Sequence, residues 1–231
     1  MSDQTLFRLL DWIERWGVWL SWLAWLTVFL GAIAMGWALR RERSRAAWRA
    51  AAIIASLALV AHVTDYLVTL HRSPDLALEA NPLWRNIVQH YGLTVAKWYG
   101  LTGKILVSII AGEMAAFYVA QRRRLYPLQA DGFAGFLRGL GARSRTLPDR
   151  LAALFTLFCF FFAGLSFFYF YVAFQNWAID PAVLDRLPSV TVAVLSYVLT
   201  LCLAFLVLTF RAFRVEARSQ AATGEIGRAH V

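Results

Sequence analysis

Lysine is scarce in this chain of 231 residues, because only two of its 23 basic residues, Lys97 and Lys104, are lysines. Acidic residues are also few, 14 in all, so the formal net charge is +9. The arginines cluster at the ends of apolar segments, whereas both lysines lie inside a segment apolar enough to cross a membrane. An ionisable side chain inside a membrane span indicates a functional site by default.

Cysteine is equally rare, and its two positions exclude a disulfide framework. Cys159 and Cys202 fall in the interior of predicted spans, where thiols behave as small apolar groups. No cleavable signal peptide is expected, because the first apolar run starts late and is long enough to remain as a span.

The composition itself excludes a soluble domain. Apolar residues make up 60% of the chain, and there are 10 Trp, 17 Phe and 8 Tyr. We therefore expect an all-α, polytopic membrane protein embedded in a lipid bilayer. The positive charge acts as a topology signal beside the apolar runs, so no nucleic-acid partner is expected.

Five stretches are long enough to span the membrane: 17–39, 48–70, 93–119, 151–174 and 189–210.

The charges between these stretches predict an orientation. The first and third connections are rich in arginine, and the second and fourth carry acidic residues. By the positive-inside rule the arginine-rich connections face the cytoplasm. We therefore predict five transmembrane helices with the N-terminus out and the C-terminus in, in the bacterial inner (cytoplasmic) membrane.

The sequence divides into five parts. An amphipathic pattern precedes the first span and predicts an interfacial helix. A reverse translation of the last seven residues can spell the start of a common sequencing adapter, and we expect these residues to be an artefact. The predicted parts are an interfacial helix 1–16, the first three spans 17–120 with a polar hairpin 48–119, a basic cytoplasmic loop 121–150, the last two spans 151–215, and a tail 216–231 of which 225–231 is the adapter match.

Polar side chains concentrate on two neighbouring spans. His62, Asp65 and Thr69 share one face of the second span, and Lys97 and Lys104 share one face of the third. Small residues beside them allow the two helices to approach closely. We expect the faces to meet, since a charge near the bilayer centre costs about 2.5 to 3.5 kcal/mol without a partner. Counting ~1.5 Å per residue places Asp65 level with Lys97, and His62 between the two lysines.

The connection between these spans contains the motif Glu79-Ala80-Asn81-Pro82. Asn-Pro ends a helix and forces an extended or turn geometry. The turn would let Glu79 and Asn81 fold back over the outer ends of the helix pair.

Together these residues resemble a known family. Asp65 and Thr69 late in one span, then the Glu-x-Asn-Pro turn, then a lysine in the next span are similar to a group of small, uncharacterised prokaryotic membrane domains of unknown function. The resemblance covers residues 50–115. The spacing leaves open whether Lys97 or Lys104 takes the family's lysine position. The family implies a site and no particular activity.

One interpretation of the constellation is a metal centre. His62, Asp65, His71 and Glu79 supply nitrogen and oxygen ligands suited to zinc or another divalent metal cofactor. Two nearby lysines would raise the electrostatic cost of a bound cation.

Three other interpretations remain open. In a membrane-embedded hydrolase the lysines would hold an anionic group while Asp65 or Glu79 acts as base. In a transport or proton-relay path the same residues would carry ions, which with five spans and no internal repeat would require a homo-oligomer. In a structural or assembly subunit they would only pair the helices in register.

The sequence thus predicts a polar pocket that faces the periplasm and takes a small ligand, an ion or a lipid headgroup. Asp65, Glu79 and Lys104 form its predicted core. Whether the protein is an enzyme stays open at this stage. The alternative from another class is the structural subunit.

Overall fold

The computed structural model describes residues 3–77, 82–127, 130–142, 146–177 and 190–228. Within these ranges the chain is helical and forms no strand. The α-helices are α1 (Asp3–Leu39), α2 (Arg45–Arg72), α3 (Pro82–Gln121), α4 (Gly132–Arg138), α5 (Leu147–Leu165), α6 (Tyr169–Trp177) and α7 (Val190–Arg228), with short 3-10 helices at Arg122–Leu125 and Ser166–Phe168.

Five helical segments are long and apolar enough to cross a membrane. They are Trp16–Leu39, Arg45–Arg72, Leu83–Leu125, Leu147–Trp177 and Thr191–Ser219. Among the described residues, the predicted all-α class and the predicted number of helices long and apolar enough to span a membrane are therefore confirmed. The third segment starts about ten residues earlier than the predicted 93–119, because it includes residues 83–91, which precede a kink at Gly92.

The two ends of the chain continue their neighbouring spans as helix. Helix α1 is continuous from Asp3 to Leu39, so the predicted interfacial helix 1–16 and the first span belong to one helix from Asp3 onward. The side chains of residues 3–15 lie outside the described part, and the amphipathic interpretation stays a prediction. Helix α7 runs to Arg228, and residues 229–231 lie outside the described ranges.

Small residues allow α2 and α3 to pack closely. Ala47, Ala51, Ala58 and Ala61 of α2 are buried. On α3, a Cβ atom added to Gly112 would lie 2.6 Å from the carbonyl oxygen of Ala51. The two backbones are in contact at this level, so the predicted close approach is present. The contact also fixes the positions of the polar side chains that lie further along both helices, toward the opposite end of the bundle.

Helix α3 folds back on itself at Gly92, whose φ of 79° and ψ of 171° are not helical. Trp84 Nε1 donates to the carbonyl oxygen of Ala96 at 2.6 Å, and in a straight helix twelve residues would separate these groups by roughly 18 Å. A positive φ with extended ψ is a conformation that only glycine adopts readily. Residues 82–91 therefore pack against the first turns of the third span and against α1, where Ser21 Oγ donates to the carbonyl of Leu83.

Helix α2 ends in a turn held by Asp75. The Asp75 carboxylate accepts from the Ser73 hydroxyl and from the backbone N–H of Ala77, both at 3.1 Å. These two hydrogen bonds, that from Ala77 above all, lower the pKa of Asp75 below its usual value. The turn carries Leu76 at a φ of 59° with its side chain buried.

The arginine-rich end of the bundle is folded. Arg122 and Arg123 pair with Glu216 of α7. Burial raises the pKa of Tyr126 to about 12, so its hydroxyl stays protonated and donates to the same carboxylate at 3.3 Å. Within the predicted loop 121–150, α4 inserts the fully buried Phe136 against Phe210 and Phe213 of α7.

Candidate functional site: a polar cleft among four helices

A cleft of about 810 Å³ opens at the end of the bundle opposite the arginine-rich connections. Its walls come from α1, α2, both arms of α3, and α6. Between His62 at one end and Arg72 at the other, ten residues of α2 span roughly 15 Å. The lining residues are Ala24, Trp25, Val28, His62, Asp65, Thr69, Arg72, Ser73, Leu83, Trp84, Tyr99, Gly100, Gly103, Lys104, Val107, Tyr169, Val172 and Asn176.

An ion pair crosses this cleft between α2 and α3. Lys104 Nζ donates to Asp65 Oδ2 at 2.6 Å, and the two side chains are 15% and 8% exposed. The predicted contact between the polar faces of the second and third spans is present. Because the pair is largely shielded from solvent, loss of either partner would leave the other charge uncompensated in an apolar environment.

The count along the helices placed Asp65 level with Lys97, but Lys97 is not its partner. Asp65 pairs with Lys104, one heptad further along α3, which is a shift of roughly 10 Å along the helix. Lys97 and Lys104 lie seven residues apart on the same face of α3, so the count of depth did not distinguish between them. Lys97 forms no ion pair with any residue in the described ranges, and its backbone carbonyl accepts from the Tyr66 hydroxyl at 3.2 Å.

The second oxygen of the Asp65 carboxylate is occupied by α6. Asn176 Nδ2 donates to Asp65 Oδ1 at 3.2 Å, and Arg72 Nη1 donates to the backbone carbonyl of Asn176 at 3.0 Å. The fourth span thus closes the cleft with a polar side chain. The only sequence signal was the pair Gln175-Asn176 at the end of a phenylalanine-rich run.

Tyr169 is the second cleft residue that the sequence did not reveal. Its ring lies 4.8 Å from Lys104 Nζ and 4.4 Å from the His62 ring, which it meets edge to face. The 3-10 segment Ser166–Phe168 interrupts the span just before it and separates α5 from α6. An aromatic ring here supports the ammonium by a cation–π contact and supplies an apolar wall.

His62 lies at the deep end of the cleft and is only 1% exposed. Its Nδ1 lies 2.9 Å from the Ser108 hydroxyl oxygen and 3.3 Å from the backbone carbonyl oxygen of Lys104. Its other ring nitrogen, Nε2, is buried and forms no hydrogen bond within the described ranges. The sequence placed His62 on the correct face, and Ser108 lies on α3 one turn beyond Lys104.

The remaining predicted site residues are distributed unevenly. Thr69 lines the cleft. Glu79 and Asn81 lie outside the described residues, so their predicted place over the helix ends stays a prediction. His71 is exposed and does not line the cleft.

The donor set available for a metal is small. Among the described residues no three His, Cys, Asp or Glu side chains come close enough to hold a metal ion. Of the four predicted ligands, only His62 and Asp65 line the cleft, and both oxygens of Asp65 are already bonded to Lys104 and Asn176. The described residues therefore bring together only two of the four predicted ligands, and since Glu79 lies outside them the metal centre stays a prediction.

The geometry provides a mixed surface: one paired acid and base, one exposed guanidinium at Arg72, and walls of aromatic and aliphatic side chains. Such a lining suits a small molecule with a polar end and an apolar body. Comparisons of the chain with protein-family models, with curated proteins and with solved structures found no match.

Proposed function

We propose that this protein is a multi-pass membrane protein that binds the polar head of a small amphiphilic molecule in the cleft between its first four spans. The observation that carries the proposal is the cleft itself, about 810 Å³ in volume, with the Asp65–Lys104 pair inside it. Ligand sites typically combine such a volume with apolar walls and a few convergent polar groups.

The shape of the cleft supports an elongated ligand that enters at the Arg72 end and lies along α2. The pair and His62 are set back from the Arg72 end by roughly 10 to 15 Å along α2. Gly100 and Gly103 remove side-chain volume from α3 at this level, and Trp25 and Trp84 provide flat walls. A polar end bonded near Asp65 and an apolar body lying against the rings would satisfy both parts of the lining.

The arginine distribution supports an outward-facing cleft. The cleft lies at the opposite end of the bundle from the clustered Arg122 and Arg123, which by the positive-inside rule belong in the cytoplasm. We therefore propose the bacterial inner membrane, with the N-terminus out, the C-terminus in and the cleft open to the periplasm or the outer leaflet. A lipid headgroup or another amphiphile from that leaflet is then the expected ligand class.

Filling the cleft tests this proposal. A Cβ atom at Gly103 would lie 3.9 Å from Trp25, so Gly103→Ala fits, whereas Gly103→Leu would occupy the open volume. Delipidated protein in detergent is incubated with phosphatidylglycerol or with dodecan-1-ol, and bound molecules are counted by native mass spectrometry. We expect one retained molecule in the wild type and in Gly103→Ala, and none in Gly103→Leu. Equal retention in all three proteins would contradict the proposal.

A purely structural role is the second candidate, because Asp65 bonds three helices together through Lys104 and Asn176. In both roles Asp65→Asn and Lys104→Met cost stability, because either change leaves a buried charge without its partner. In the structural role the wild type retains no more dodecan-1-ol than Gly103→Leu does, whereas in the binding role it retains one molecule that Gly103→Leu does not. Ligand retention in the folded protein therefore separates the candidates.

A further inference from the structure

Most polar groups deep in the cleft already have partners. Asp65 accepts from Lys104 at one oxygen and from Asn176 at the other. The positive charge of Lys104 is neutralised by Asp65 and faces the Tyr169 ring. The ion pair therefore has little remaining capacity to recognise a charged ligand, and the unused capacity belongs to His62.

The hydrogen bonds around His62 assign its proton. The Ser108 hydroxyl donates to the backbone carbonyl of Lys104 at 2.7 Å, so its oxygen is an acceptor toward the ring nitrogen 2.9 Å away. The second neighbour of Nδ1, the Lys104 carbonyl oxygen at 3.3 Å, can only accept. Nδ1 therefore carries the N–H, and in the neutral ring Nε2 carries the lone pair.

That lone pair is buried without a donor. His62 Nε2 forms no hydrogen bond with any residue in the ranges 3–77, 82–127, 130–142, 146–177 and 190–228, while the residue as a whole is 1% exposed. Buried acceptors in folded proteins are nearly always satisfied, and one that is not points to a missing partner. The ring lines the cleft, so a molecule in the cleft can supply the donor.

We propose that the ligand is an apolar molecule with an uncharged hydroxyl group, and that this hydroxyl donates to His62 Nε2. The inference rests on the proposed binding function and adds the chemistry of the head: a neutral alcohol is preferred over a carboxylate, and over an ether that lacks the donor. The apolar body lies against the aromatic and aliphatic wall formed by Trp25, Val28 and Val107.

Three probes with the same chain length test this preference: dodecan-1-ol, dodecyl methyl ether and dodecanoate. Each is titrated by mole fraction into phosphatidylcholine nanodiscs that hold the full chain with isotopically labelled histidine, and nitrogen NMR reports on the His62 ring. We expect the alcohol to bind about tenfold more tightly than the ether, as one net hydrogen bond implies. We also expect it to shift the signal of the unprotonated nitrogen toward the hydrogen-bonded range.

His62→Asn is the matched variant, because its amide N–H can replace the Nδ1 donor toward Ser108 while the Nε2 acceptor is lost. It should fold and bind alcohol and ether equally; if it does not fold, the NMR signal of the wild type still decides. Strongest binding of dodecanoate, equal binding of alcohol and ether to the wild type, or an Nε2 already hydrogen-bonded in free protein would overturn the hydroxyl inference and leave the cleft intact. Failure of all three probes to bind the wild type, or binding unaffected by Gly103→Leu, would overturn the proposed function and this inference with it.

Discussion

The two ends of the bundle each hold an ion pair between helices, and they use different residues in different surroundings. At the arginine-rich end Arg122 and Arg123 share Glu216, with arginine side chains 28% and 68% exposed. In the cleft Lys104 and Asp65 are 15% and 8% exposed, among apolar and aromatic walls. The partly exposed cluster connects helix ends with little loss of hydration. The buried pair lies where an unpaired charge costs much more free energy.

The largest expected difference between the two ends lies in the loss of one cation. Lys104→Met leaves the Asp65 carboxylate without its cation, and we expect a loss of about 3 kcal/mol or more in the free energy of unfolding. Arg122→Met leaves Glu216 bonded to Arg123, whose side chain is 68% exposed, so a loss below about 1 kcal/mol is expected. The free energies of unfolding of the two variants are measured by denaturation in mixed micelles.

The double variant Asp65→Asn/Lys104→Met sharpens this result. With both charges removed, no charge remains buried, and we expect more than half of the lost stability to return. If Lys104→Met costs no more than Arg122→Met, the two pairs are equivalent and the contrast fails.

Glycines in the third span should respond unequally to alanine. A Cβ atom at Gly100 would lie 2.4 Å from the Trp84 ring, whereas at Gly103 it would have room. We expect Gly100→Ala to cost about 1 to 3 kcal/mol through overpacking, and Gly103→Ala to be neutral or slightly stabilising. Thermal unfolding followed by Trp fluorescence checks both. Equal behaviour would show that Trp84 does not pack against this helix.

The fold-back at Gly92 provides an effect of similar size. Its φ of 79° and ψ of 171° favour glycine, so Gly92→Ala should cost about 1 to 3 kcal/mol. The control is Gly141→Ala at the arginine-rich end, where φ is 76° and a Cβ atom would also meet no neighbour. Both should lose stability by backbone strain, while only Gly92→Ala should increase hydrogen exchange at the Trp84 indole. The absence of that difference would contradict the fold-back.

The smallest expected effect is that of the arginine-rich end on the cleft. Phe136→Ala removes a fully buried ring between α4 and α7 and should release α4, detected as faster proteolysis within 127–146. Retention of dodecan-1-ol in the cleft should stay within error of the wild type, because Phe136 lies at the opposite end of the bundle from the lining residues. A large loss of retention would mean that the two ends are coupled.

Much of this arrangement could be predicted from the sequence, because membranes impose strong patterns. Apolar length gave the five spans, and helical periodicity placed His62, Asp65 and Lys104 on facing surfaces. The choice between the two lysines failed, since both lie on one helical face and a hydropathy pattern places the end of a span only to within about one or two turns. Asn176 and Tyr169 were missed because a single asparagine at the end of a phenylalanine-rich run resembles an ordinary interfacial residue.

The scarcity of lysine makes the central claim directly measurable. Solid-state NMR with labelled lysine side-chain nitrogen and labelled aspartate carboxyl carbon can show at most two lysine signals, from Lys97 and Lys104. We predict that one of them is dipolar-coupled to an aspartate carboxyl at hydrogen-bond distance, that this signal disappears in Lys104→Met, and that Asp65→Asn removes the coupling. If neither signal is coupled, or if the coupled one is lost in Lys97→Met instead, the buried pair between α2 and α3 does not exist as described.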